Sequence, residues 1–269
     1  MTRISRFAAA LLGMFVPMTL NAQASLQDIV QLELLQGGLA ADGTYQTAIR
    51  LNMAEGWKTY WRVPGDAGIP PRLVWNGSRN VAAATETWPT PEVFLQGGLR
   101  SVGYSSQLVL PVAIKPKNQN KEVRLRGKIE FGICEEICIP ATLSFSADLD
   151  PDAPRHPSIA AALASRPYSA SEAGVGAVTC ELSPTEDGLK ITAKISLPST
   201  GGSEFVVFEP DNPEIWSSEA VVSRNRNTLS ATSELIHVSG EPYLLDRSAL
   251  RITVIGQRHA VDIRGCSAS

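Results

Sequence analysis

The sequence predicts an all-β protein made of two tandem immunoglobulin-like β-sandwiches, joined by a Pro/Ala-rich linker that carries one short helix. Three observations carry this reading. Apolar and polar residues alternate with period two over 44–51, 122–131, 189–197 and 250–255, while the longer period of an amphipathic helix is nearly absent. Turn formers (Asp42-Gly43, Asn76-Gly77, Asp187-Gly188 and Gly201-Gly202) separate the runs at the spacing of short antiparallel strands. The opening of the chain also recurs. Val30-Gln31-Leu32-Glu33-Leu34 precedes Asp42-Gly43 and an alternating strand, and Val178-Thr179-Cys180-Glu181-Leu182 precedes Asp187-Gly188 and another.

Taken in order, residues 1–24 read as a secretory signal peptide. Arg3 and Arg6 lead into an apolar run over 7–20 and then Asn21-Ala22-Gln23-Ala24, with cleavage expected after Ala24. That run contains Pro17 and is short for a membrane span, and no later segment reaches the roughly 18 apolar residues a spanning helix needs. The mature chain is therefore expected to be exported, with no membrane insertion of its own. Residues 25–150 form the first predicted sandwich, 151–176 the linker, and 177–269 the second sandwich. Within the linker, an alanine-rich segment between Pro157 and Pro167 predicts a helix over 158–165.

The formal charge of −3 becomes −5 once Arg3 and Arg6 are removed. Lys and Arg are scattered rather than clustered, which speaks against a nucleic-acid partner. With 43% hydrophobic residues and many Val, Ile and Thr, the chain can bury a core.

An even number of cysteines in an exported chain points to disulfides, and the spacing divides the four into two pairs. Cys180 stands where Leu32 stands in the repeat, and Cys266 follows the last strand. A structural bridge between them would staple the second sandwich and stabilise it by roughly 3–5 kcal/mol. Strict alternation puts Cys266 on the face of Asp262 and Arg264, and Gly265 offers a bulge that would re-aim it.

The other pair lies in Cys134-Glu135-Glu136-Ile137-Cys138. Ile129, Phe131 and Ile133 form the apolar set before it, and Ile139, Ala141, Leu143 and Phe145 the set after it. Both sulfurs are thereby expected on the solvent face, near enough to bond. So small a loop constrains the unfolded chain little, and exposed short-loop disulfides are the ones that exchange, which points to a redox site. Three other uses stay open: an inert structural bridge, a zinc site short of further ligands, and copper(I) held by two soft sulfurs. Glu135 and Glu136 should disfavour thiolate formation. Trp57, Tyr60, Trp61 and Trp75 are expected in the core or at its rim rather than on a ligand platform.

Several motifs together resemble the N-terminal periplasmic domain of DsbD-type disulfide reductases, and within them the ScsB-like branch linked with copper tolerance. They are Gly56-Trp57-Lys58-Thr59-Tyr60-Trp61, Pro64-Gly65-Asp66-Ala67-Gly68, Trp88-Pro89 with Pro91 and Phe94, Gly103-Tyr104, Leu110-Pro111-Val112, and the cysteine segment ending in Ile139-Pro140. The resemblance covers 26–149 well and the second half more loosely. It implies an immunoglobulin-like periplasmic domain that relays reducing equivalents by thiol–disulfide exchange, without a cofactor. Cys138 would form the mixed disulfide with partners and Cys134 would resolve it. A cap loop over 91–98 would cover the pair, with Phe94 as its ring.

The family's partners are thioredoxin-like periplasmic oxidoreductases, supplied through a membrane domain. No such domain lies within these 269 residues, so the resemblance implies a separate membrane electron-transfer protein as donor. Two features depart from the family. The cysteines are separated by three residues where the best-known members have more, and Phe94 stands at a different distance from Tyr104. Two functions compete with the relay: an exported binding or chaperone module with inert disulfides, and copper(I) binding for copper tolerance.

Overall fold

The computed structural model describes residues 25–65, 68–96 and 98–268; the predicted signal peptide lies outside them. The chain folds as the predicted pair of β-sandwiches. In the first, one sheet has the spatial order Val30–Leu39, Tyr45–Met53, Gln107–Pro116, Val81–Glu86. The facing sheet runs Cys138–Asp148, Arg124–Cys134, Lys58–Gly65, Leu99–Ser105, Glu92–Gln96, with the short strand Arg72–Val74 also on Arg124–Cys134.

The second sandwich repeats this plan. Val178–Pro184, Gly188–Ser196 and Thr228–His237 are successive neighbours, and Val221–Asn225 lies against the last of them. Its other sheet holds Phe205–Glu209, Arg251–Ile255 and Ala260–Arg264 in the places of Lys58–Gly65, Arg124–Cys134 and Cys138–Asp148. The V-x-x-E-L repeat thus marks equivalent first strands. In this arrangement the cysteine hairpin of the first sandwich corresponds to the turn Gly256–His259 of the second.

Alternation explains the burial. Side chains of a strand point to opposite faces in turn, so the inward set of each strand fills the space between its sheets. Trp61, Phe131, Ile129, Ile133, Leu51 and Leu110 are buried in the first core. Trp57, Trp75 and Trp88 pack partly buried against it, and Trp75 stands edge-on to Phe145 with ring centroids 5.2 Å apart. Each such side chain, fully withdrawn from water, contributes roughly 1.5–3 kcal/mol.

The helix is Pro157–Ala164, with proline at its start and His156 accepting a hydrogen bond from the Ser158 amide. Its Ile159 packs with Leu35 and Ala48 on the outside of the first sandwich. Soon afterwards Tyr168–Ser169 pairs in parallel with Val261–Asp262 of the second sandwich. The predicted linker is therefore built into both sandwiches. A helical turn at Leu26–Ile29 precedes the first strand and has no counterpart in the sequence reading.

The sandwiches share an interface built from one strand. Phe205-Val206-Val207-Phe208 is buried throughout. Val206 and Phe208 join the second core, whereas Phe205 and Val207 join the first sandwich's core cluster together with Ile255 and Ala260. Four consecutive apolar residues are the mark of a strand buried on both faces. Beside them the Arg62 guanidinium donates two bonds to the Glu209 carboxylate, at 2.7 and 2.8 Å, and stacks 3.8 Å from the Trp61 ring centroid. A buried pair of this kind fixes how two surfaces meet more than it stabilises them.

Candidate redox site

The site forms where Arg124–Cys134 turns into Cys138–Asp148 at the end of the first sandwich. Cys134 and Cys138 pair directly across this hairpin and are joined by a disulfide, with Cα atoms 4.1 Å apart. Cross-strand neighbours already stand close to the separation of about 4.4–6.8 Å usual for a disulfide.

The expectation that both sulfurs face solvent needs correction. Cys138 is partly exposed, but Cys134 is fully buried. Cys134 does lie on the face opposite Ile133, as the alternation requires, but that face is roofed. Its cross-strand neighbour on the central strand is Lys58, and Tyr60 shares their face. The Tyr60 hydroxyl lies 3.0 Å from the Cys134 Sγ and 3.0 Å from the Cys138 Sγ.

Two glycines shape the roof. A methyl group added at Gly132 would meet Ile69 at 2.9 Å and the Tyr60 ring at 3.2 Å, and one added at Gly68 would meet the same ring at 2.6 Å. The tyrosine therefore lies in a slot that larger residues would fill. A second correction concerns Ile139. Assigned to the inward set, it is 39% exposed because its strand is the sheet edge and the hairpin tip projects past the core. With Ile137, 75% exposed, it leaves an apolar rim beside the accessible sulfur.

The electrostatics are mixed. Burial raises the Tyr60 hydroxyl above its ordinary pKa of 10.0, so at neutral pH it stays protonated and can donate to sulfur. Lys58 is the cross-strand neighbour of Cys134. The Lys58 ammonium also sits 5.2 Å from the centroid of the Phe94 ring. Phe94 belongs to the hairpin of Glu92–Gln96 and Leu99–Ser105, and in this way it reaches the cysteine side of the sheet. Among the described residues, no group of three or more His, Cys, Asp and Glu side chains is arranged to hold a metal ion. Among the same residues, no helix is long and apolar enough to cross a membrane.

The other two cysteines belong to the second core. Cys180, fully buried, is bridged to Cys266, with Cα atoms 5.7 Å apart and a sequence separation of 86. Gly265 adopts φ 71°, a left-handed conformation open to glycine, and turns the chain so that Ser267–Ala268 pairs beside Val178–Pro184.

Residues 31–149 match the family described as thiol:disulfide interchange protein DsbD, N-terminal. The first sandwich is a DsbD-type N-terminal domain. The match spans the first sandwich, and the cysteine hairpin lies inside the matched segment. The N-terminal periplasmic domain of ScsB from Proteus mirabilis has the same fold, at 20% identity, with a TM-score of 0.70 over 92% of this chain and 97% of that one. The shared fold includes both sandwiches. Among curated proteins no sequence matches the chain.

One residue of this site escaped the sequence reading. Tyr60, expected with Trp57 and Trp61 in the core or at its rim, touches both sulfurs. The available signal was parity: Tyr60 and Lys58 alternate with the inward Thr59 and Trp61, which directs them to the outer face.

Proposed function

We propose that the protein is a periplasmic dithiol–disulfide relay in which Cys138 exchanges with partners and Cys134 resolves. One observation carries the reading. Within a DsbD-type domain, a short-loop disulfide has one sulfur partly exposed beside an apolar rim and the other buried under a tyrosine hydroxyl. An incoming thiolate can reach Cys138, and the buried partner is then the leaving group.

The steps balance as follows. In loading, a donor thiolate attacks Cys138 Sγ, the Cys134–Cys138 bond breaks, and Cys134 leaves as a thiolate that takes a hydrogen bond from Tyr60. The donor's second thiol then displaces Cys138, so the donor ends as a disulfide and the pair as a dithiol. In delivery, the Cys138 thiolate attacks a partner disulfide and releases one partner thiolate. Cys134 then attacks Cys138 Sγ, re-forms the bond and frees the partner as a dithiol. Two electrons and two protons move in each direction. Thioredoxin-like oxidoreductases suit the rim of Ile137 and Ile139 as partners, and a separate membrane electron-transfer protein would be the donor. Phe94 would cap the pair through its contact with Lys58.

The test is trapping. Cys134→Ser should accumulate a mixed disulfide through Cys138 with a thioredoxin-like protein, and Cys138→Ser should abolish it. Equal trapping in a variant that retains only Cys180 and Cys266 would overturn the assignment.

A further inference from the structure

The hairpin that carries Phe94 has two faces, and the second sandwich is applied to one of them. Cross-strand partners share a face, so Phe94 goes with Ser101, whereas Val93 and Val102 go with Leu95 and Arg100 on the opposite side. The Phe94 face turns toward Lys58 and the cysteine side. The opposite face is the inward face of its own sandwich at Val102, whose neighbour Tyr104 pairs with the inward Thr59, and from Val102 to Arg100 it borders the second sandwich. Val102 is fully buried in the cluster that includes Phe205 and Val207, and Arg100 lines a narrow gap with Phe205 and Glu219. Across that gap the Arg100 guanidinium bonds the Glu219 carboxylate at 2.8 Å.

Farther out, contact gives way to a cleft of about 530 Å³ between Val93 and the turn Gly256–His259. Leu95, on the same face as Val93, is 75% exposed. The hairpin is thus clamped at its base from behind, by residues about 100 or more positions away in sequence, while its front face carries the ring over Lys58.

We infer that the second sandwich is a positioning element for the redox pair. Val102 on Phe205, and Arg100 on Glu219, hold the hairpin so that Phe94 stays over the Lys58–Cys134 side, and this contact sets how readily the disulfide is attacked. The inference rests on the relay reading and gives the second sandwich a part in it. Arg100, Glu219 and Phe205 act through Phe94 and touch neither sulfur. The Arg62–Glu209 pair keeps the two sandwiches in register but belongs to the interface centre, so the hairpin contact can be loosened without it.

The test measures the rate at which dithiothreitol reduces Cys134–Cys138 in the full chain, read by alkylation and mass spectrometry, with Cys180–Cys266 as internal reference. Phe94→Ala, which removes the cover directly, sets the scale. Glu219→Arg turns an attraction into a repulsion at a half-exposed pair and should raise the rate roughly three- to tenfold, with unchanged resistance to denaturant. The exchange of charges in Arg100→Glu/Glu219→Arg should bring the rate back to within about twofold of the parent, since the two sites couple directly. Phe205→Ala loosens the same contact without charge and should also accelerate reduction. Should Phe94→Ala accelerate reduction while Glu219→Arg and Phe205→Ala leave it at the parent value, this inference is overturned and the relay stands. Should Phe94→Ala also leave it unchanged, the cap and its bracing fall together, while trapping through Cys138 still decides the relay.

Discussion

The chain places two disulfides in opposite physical settings. Cys180–Cys266 closes a long loop, ties the first strand of its sandwich to the last segment of the chain, and sits with Cys180 sealed in the core. Cys134–Cys138 closes a turn between adjacent strands that the sheet already holds in register, so it adds little constraint. What it has instead is an accessible sulfur, a buried leaving group and a hydroxyl against both. The difference teaches that a bond's contribution to stability and its suitability for exchange trade against each other: loop length and burial favour the first, and a short loop at a projecting edge favours the second.

The largest expected effect breaks the comparison on stability. Replacing Cys180 and Cys266 by alanine should cost roughly 4–5 kcal/mol in chemical denaturation, and replacing Cys134 and Cys138 roughly 2 kcal/mol or less, from loop length alone. Equal losses would mean the short loop is structural.

Next comes selectivity. In a graded thiol buffer, Cys134–Cys138 should open at potentials typical of exchange partners, while Cys180–Cys266 stays closed to below roughly −300 mV. Mass spectrometry of alkylated peptides reads both at once, and simultaneous opening would remove the functional distinction.

A smaller effect isolates the tyrosine. Tyr60→Phe removes one hydrogen bond to a developing thiolate, about 1 kcal/mol, so reduction of Cys134–Cys138 should slow about fivefold. The apparent pKa of the released thiol should rise, and reduction of Cys180–Cys266 should not change. A fall in thermal stability with an unaltered thiol titration would instead assign Tyr60 to packing.

The smallest effect appears in alkali. Burial holds Tyr60 and Tyr104 above the ordinary value of 10.0, and the Tyr104 hydroxyl donates to the Pro89 carbonyl at 2.8 Å. In the unfolded chain both ionise near pH 10, while the folded chain keeps its protons. Their contribution is therefore complete below that pH and is lost as pH rises past it. Tyr104→Phe should flatten this slope in both redox states, whereas Tyr60→Phe should do so more strongly in the reduced state, where its hydroxyl donates to a thiolate whose charge opposes ionisation of the phenol. Denaturation between pH 9 and 11 checks both.

Alternation and turn dipeptides were enough to read the sandwich class, because strand periodicity and left-handed turn positions are local properties of the chain. The strand predicted over 44–51 is observed at Tyr45–Met53, and that over 250–255 at Arg251–Ile255. Gly265 was legible for a similar reason, since only a glycine conformation lets Cys266 leave the face of Asp262. The surroundings of Cys134 were not legible. Parity told which face it occupies, but whether that face meets water depends on Tyr60, Gly68 and Ile69, which come from other segments.

By itself, the sequence determined the fold class, the pairing of the cysteines by spacing, and the hairpin end where two sulfurs meet. Each of these follows from backbone periodicity and from distances along the chain. Only the tertiary structure decided that one sulfur is buried, that a tyrosine hydroxyl spans both, and that the run Phe205-Val206-Val207-Phe208 serves two cores and backs the hairpin bearing Phe94. Those outcomes depend on which surfaces far apart in sequence are pressed together, and solvent exclusion at a contact is a property of both surfaces.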